Sequence, residues 1–173
     1  MPNAITSYKA VPNTSAQIVE GNLYNGVTQM TFASGETVKY MLLEIPKDVT
    51  AQYIVQGLTL QPYDNTFRLD LYEGITTLTT GTPISAKNMN RNFSDTPLCT
   101  FSINPIGTYG GEGTFIEYFN PFIRITDTPA ASKLLKDNVE RIFKTSQKYL
   151  FKFTRAADTT ALTFEFRWIW FAS

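Results

Sequence analysis

The strongest constraint on this chain lies near its C-terminus. Tyr149, Phe151 and Phe153 alternate with Leu150, Lys152 and Thr154, and Phe164, Phe166, Trp168 and Trp170 share one face while Glu165 and Arg167 share the other. A period of two sends successive side chains to opposite sides of the backbone, which is the geometry of a strand and not of a helix. Four aromatics on one face read as core, not as a ligand platform. Ile169 and Phe171 add apolar groups to the opposite face. That predicts cover on both sides of the last strand, by the N-terminal segment or by another subunit. Ala156-Ala157-Asp158 is a short connection between the two aromatic strands, which predicts that they pair as a hairpin.

The same period recurs upstream. Val38, Tyr40 and Leu42 alternate with Lys39 and Met41, and Phe67, Leu69 and Leu71 alternate with Arg68, Asp70 and Tyr72. Tyr53–Leu60, Leu98–Ile103 and Phe115–Tyr118 read as further strands. Pro46-Lys47-Asp48, Gly74, Gly81-Thr82-Pro83, the polar stretch Asn88–Asp95 and the four glycines within Gly107–Gly113 supply the turns between them. Residues 1–35 are polar, with weak strand pieces at Ala16–Val19 and Val27–Phe32, and read as an arm or outer strands beside a sandwich domain at 36–173. Residues 129–145 read as a short helix or as a loop with one or two helical turns, followed by a strand over Val139–Phe143. Many short strands between regular turns predict an all-β, antiparallel, jelly-roll-like β-sandwich. With 173 residues, 43% of them hydrophobic, the chain can fill one such core.

The chemistry available is narrow. The chain has no histidine and one cysteine. Ser-His-Asp and Cys-His machinery is therefore excluded, as are most zinc and iron sites. Cys99, between Leu98 and Phe101, reads as a small core residue. Gly110, Gly111 and Gly113 fit neither a phosphate-binding loop nor a dinucleotide fingerprint. Glu112, Glu117 and Asp127 lie near Tyr109, Tyr118 and Phe122, but nothing fixes a carboxylate pair at the separation glycoside hydrolysis needs. The expectation is a non-enzymatic protein with no catalytic, cofactor-binding or metal-binding residue.

Charge gives a second constraint. Fifteen basic residues balance fifteen acidic ones, so nucleic acid is not an expected partner, and copies of the chain do not repel one another strongly. The N-terminus carries no leader pattern, and no apolar stretch reaches the roughly 18 residues of a membrane span. Residues 128–173 hold 8 basic and 4 acidic side chains. Lys133, Lys136, Arg141, Lys144, Lys148, Lys152 and Arg155 form this basic run. Alternation puts the lysines and aromatics of 148–153 on opposite faces, so solvated charge over core is the simpler reading than a nucleic-acid surface. The candidate interaction surface comprises Tyr109, Phe115, Tyr118, Phe119, Phe122, Ile169 and Phe171. Within it, Tyr109, Tyr118, Phe119 and Phe122 would be the platform for an alternative function, glycan binding in adhesion.

Several short motifs occur in a distinctive order. Leu71-Tyr72-Glu73-Gly74 is followed by Gly81-Thr82-Pro83, Asn88-Met89-Asn90-Arg91-Asn92, Gly113-Thr114-Phe115-Ile116, Tyr149-Leu150-Phe151 and Trp168. From Val38 to Phe171 this order resembles a module of tailed-bacteriophage virion proteins. The chain departs from it at residues 119–138, which lack glycine and carry two prolines and the lysines 133 and 136. The resemblance implies a β-sandwich on the outside of a phage particle. Its role would be capsid decoration on the major capsid protein, or a head- or tail-fibre component, often trimeric and made in the host cytoplasm. It also implies structural roles for Leu71, Tyr72, Glu73 and Gly74 and for Asn90, Arg91 and Asn92. The asparagines suit turn hydrogen bonds and Arg91 suits a carboxylate partner.

Overall fold

The computed structural model describes residues 20–61, 66–94, 96–119, 140–156 and 160–172, with the backbone alone at 52–61, 117–119, 140–141 and 171–172. These residues form strands β1 (Leu23–Phe32), β2 (Val38–Glu44), β3 (Ala51–Gln61), β4 (Arg68–Glu73), β5 (Leu78–Thr79), β6 (Thr82–Pro83) and β7 (Ala86–Asn88). They continue with β8 (Thr100–Ile103), β9 (Ile106–Gly107), β10 (Thr114–Phe119), β11 (Glu140–Phe143), β12 (Lys148–Thr154) and β13 (Leu162–Ala172). Among the described residues there is no helix. One sheet has the order β11-β3-β13-β1-β7, the other β10-β4-β12-β2-β8-β6, and β5 and β9 form a small ribbon. The fold is the expected all-β antiparallel sandwich.

The core lies where the inner faces meet. Phe164, Phe166, Trp168 and Trp170 of the first sheet pack on Phe101, Phe151, Phe153 and Phe67 of the second, all of them buried. Phe101 lies 5.1 Å from Trp168 and 4.9 Å from Trp170 between ring centroids, and Phe153 lies 4.8 Å from Phe164. Each ring adds contact area, and the edge-to-face or offset geometry of the aromatic pairs adds to it.

The expected hairpin is not formed. β12 pairs with β2 and β4, whereas β13 pairs with β1 and β3 in the opposite sheet. The chain crosses from one layer to the other after Arg155. Each strand carries a row of aromatics on one face, Tyr149, Phe151 and Phe153 on β12 and Phe164, Phe166, Trp168 and Trp170 on β13, and crossing over lets the two rows bury each other. A hairpin would have laid them side by side in one layer.

Two further strands show how the core is filled. β1, which falls within the segment read as an arm or outer strands, is flanked on both sides, by β13 along its whole length and by β7. Its inner face is Tyr24, Gly26, Thr28, Met30 and Phe32, so glycine and threonine interrupt the apolar period. The interruption has a packing reason: a Cβ on Gly26 would lie 2.7 Å from the Trp168 indole and 2.8 Å from that of Trp170. In β2 the core face is Met41 and Leu43, while Leu42 points outward into a second apolar cluster with Leu150, Ile75 and Leu78. The Val139–Phe143 strand corresponds to β11; residues 129–138 lie outside the described set. Ile169 is buried, in keeping with cover on the outer face of β13, and the Phe171 side chain is not among those described.

Candidate functional site

The ribbon β5–β9 and the glycine-rich segment 107–113 lie over the outer face of the second sheet. Gly107 permits this approach. Its φ is 140°, and a Cβ there would meet the Thr77 carbonyl oxygen at 2.1 Å. Tyr109 then stacks on Tyr40 of β2, with ring centroids 4.2 Å apart, and its hydroxyl donates to the Pro105 carbonyl. Burial raises the pKa of both phenols. Next to them the Lys152 ammonium pairs with Glu112 at 3.0 Å and lies 5.9 Å from the Tyr72 ring centroid. The hydrogen bond from Lys152 holds Glu112 below the usual carboxylate range. Tyr72 in turn meets Phe115 edge-on at 5.6 Å.

The members of the basic run whose side chains are described, Lys144, Lys148, Lys152 and Arg155, all find partners within the chain. Lys144 pairs with Glu73 at 2.7 Å, and Lys148 pairs with Glu44 at 3.1 Å and donates to the Leu78 carbonyl. Arg155 is not a solvated charge. It is 5% exposed, donates to the carbonyls of Glu36 and Ala33, and lies 5.3 Å from the Phe32 ring. Cys99 is buried as expected, and burial pushes its thiol up to about 12, with Trp170 alongside acting in the opposite direction. Such a thiol is not a nucleophile at neutral pH.

The two edges of the sandwich differ. At one edge the chain runs directly from β6 in the second sheet to β7 in the first, which closes the layers together. The connection from β7 to β8 is built on Asn88, which is 1% exposed. Its amide nitrogen donates to the carbonyls of Gly21 and Ser94, and its amide oxygen accepts from the Asn90 backbone at 2.9 Å. Asn90 accepts from the Asn92 backbone in the same way. Asn88, noted in the sequence only as the start of a polar stretch, is thus the buried residue from which this loop is held. Arg91 is exposed. Three apolar side chains, Met89, Phe93 and Leu98, are held outward, at 37%, 50% and 53% exposure.

At the other edge, β10 and β11 terminate opposite sheets and leave a groove of about 500 Å3 between them. Leu71, Phe115, Ile116, Ile142, Phe143 and Tyr149 line it, with the Glu73–Lys144 pair at its rim. Phe115, Ile116 and Ile142 are exposed. β10, the last described strand of its sheet, carries a bulge between Phe115 and Glu117, a device that discourages strand addition at a sheet edge. Of the residues expected to form an interaction surface, Phe115 lies in this groove, Tyr109 lies on the neighbouring sheet face, and Ile169 is buried on the far sheet. The side chains of Tyr118 and Phe119, and all of Phe122, lie outside the described residues. The expected glycan platform is therefore represented by Tyr109 alone, and Tyr40 already covers one face of its ring. Among the described residues no group of three or more potential metal ligands converges.

Set against known proteins, the chain matches no family model, no curated protein and no solved structure.

Proposed function

We infer that this chain is a non-enzymatic structural protein of a tailed-phage particle, decorating the capsid through contacts with the major capsid protein and associating with copies of itself. The observation that carries the reading is the ordered set of motifs from Leu71 to Trp168. Its motif residues sit at shape-determining places. Leu71 is in the core, Glu73 pairs with Lys144, and Gly74, with φ 77°, ends β4 while its N–H donates to Lys148. Asn88 and Asn90 build the β7–β8 loop. A sandwich shaped by such residues, with no histidine and with apolar groups displayed at its edges, suits a protein that works by contact. Mass spectrometry of particles purified from a producing culture tests the reading. The protein is expected in the particle band in fixed ratio to the major capsid protein; its confinement to the soluble fraction would refute it.

A further inference from the structure

Tyr40 and Tyr109 bring two phenols together from distant parts of the chain. Tyr40 lies in β2, and Tyr109 lies in the glycine-rich segment over the outer face of the second sheet. Their ring centroids are 4.2 Å apart and their planes differ by 19°. That is closer than the roughly 4.5–7 Å usual for aromatic pairs, so carbons of the two rings touch. Both partners are held in place. Tyr40 lies opposite Lys152 in β12, and its carbonyl accepts from the Asn104 N–H. Tyr109 is held by the bond from its hydroxyl to the Pro105 carbonyl, and the segment beyond it by the Glu112–Lys152 pair. The pair is also within reach of solvent, with Tyr109 41% exposed and Tyr40 half-buried. Tyr72 and Tyr149, in contrast, meet the rings of Phe115 and Phe143, which carry no hydroxyl.

We propose that Tyr40 and Tyr109 form a site of oxidative cross-linking, at which a one-electron oxidant joins the two rings by a carbon–carbon bond. Both phenols are protonated at neutral pH, so each ring gives up one electron and one proton. The two radicals combine at carbons ortho to the oxygens. The hydrogen on each of these carbons then leaves as a proton, and each oxygen regains one, which restores both hydroxyls. The net loss is two hydrogen atoms. Hydrogen peroxide, acting through a haem peroxidase, takes up the two electrons and two protons and becomes two waters. Holding the two carbons in contact replaces a diffusional encounter and favours this pair over others. With one cysteine the chain cannot form an internal disulfide, and the phenol–phenol bond supplies a staple of different chemistry. It fastens the glycine-rich segment over the sheet face that carries the cluster of Leu42, Ile75, Leu78 and Leu150. The site stands whether or not the protein belongs to a particle.

The experiment treats the dilute full-length chain, Tyr40→Phe and Tyr109→Phe with a haem peroxidase and hydrogen peroxide. Dityrosine fluorescence is read on the monomer fraction, and peptide mass spectrometry identifies the linked residues. Phenylalanine keeps the stacked ring, and thermal melting confirms that each variant is folded. The wild type is expected to yield a monomer that has lost two hydrogens, with Tyr40 joined to Tyr109, and each variant to lose that product. Wild type unfolded in urea and oxidised with a small-molecule one-electron oxidant is expected to give the Tyr40–Tyr109 link at least about tenfold less than the folded chain under the same oxidant, because the preorganisation is gone. If a variant fails to fold, the peptide map of the wild type and the comparison with the unfolded chain decide. No link within the folded wild type, a link between other tyrosines or mainly between chains, or an equal yield from the unfolded chain would each overturn the proposal.

Discussion

The rings of Phe153 and Phe164 lie 4.8 Å apart across the gap between the two sheets, although their strands follow one another directly in the chain. Phe164 also touches Phe67 and Phe32, at 5.1 and 5.5 Å. This cluster joins strands of both layers, so truncating it opens a cavity that neither sheet can fill by itself. Phe164→Ala is expected to lower stability by about 3–5 kcal/mol. Phe153→Ala acts on the same cluster, so the double variant loses less than the sum of the two, by about 0.5–3 kcal/mol. Urea unfolding of the four proteins measures both quantities.

Asn88 makes a second, more local prediction. Replacing it with alanine removes the partners of two carbonyls and one backbone N–H in a buried place. Asn88→Ala should cost about 1–3 kcal/mol, the usual penalty for orphaned buried groups. Asn92→Ala, at an exposed position, should stay within about 0.5 kcal/mol of the wild type. Denaturant midpoints compare the two directly.

The cations of β12 and the crossing after it should separate in the same way. Arg155 is buried and serves two carbonyls, so Arg155→Met is expected to cost about 1.5–3 kcal/mol. Lys152 shares its partner Glu112 with solvent, and Lys152→Met should change stability by no more than about 1 kcal/mol. Equal effects from the two substitutions, measured by thermal melting, would show that Arg155 does not close the end of the sandwich.

Alkaline pH should destabilise the fold through Cys99. The folded thiol is held protonated up to about 12 against an ordinary value of 9.0. Below pH 9 both states keep the proton and the contribution is constant. Above it the unfolded chain loses a proton that the folded chain retains, so stability falls as pH rises between about 9 and 12. One such group gives a slope of up to about 1.4 kcal/mol per pH unit. Burial raises Tyr40, Tyr109 and Tyr149 in the same sense, which steepens the fall above pH 10. Stability curves for the wild type and Cys99→Ala are expected to diverge above pH 9, and a thiol reagent at neutral pH should label Cys99 only as the protein unfolds.

The period-two aromatic pattern made the strands and their core faces legible, because side-chain alternation is fixed by the backbone. It could not show which strands are neighbours. Tyr149–Phe153 and Phe164–Trp170 have the pattern of paired strands and also that of facing strands, and only the three-dimensional fit of their rings decides. β1 was legible only in part, as the weak strand piece Val27–Phe32, for a related reason. The large indoles of Trp168 and Trp170 require Gly26 beneath them, and that glycine breaks the apolar period on which strand reading depends. The two edge surfaces were half visible. Phe115 stood out as an aromatic near the glycine-rich turn, whereas the groove exists only because β10 and β11, distant in sequence, end opposite sheets on the same side. Asn88 gave no signal of burial, since a buried asparagine reads in sequence as any loop asparagine does.

The central claim, that this sandwich works by binding a particle surface, is tested most directly by adding the purified protein to particles produced without it and measuring co-sedimentation. The account predicts saturable binding, at a fixed number of copies per particle. Absence of binding at any protein concentration, with the particles intact and the protein folded, would contradict it.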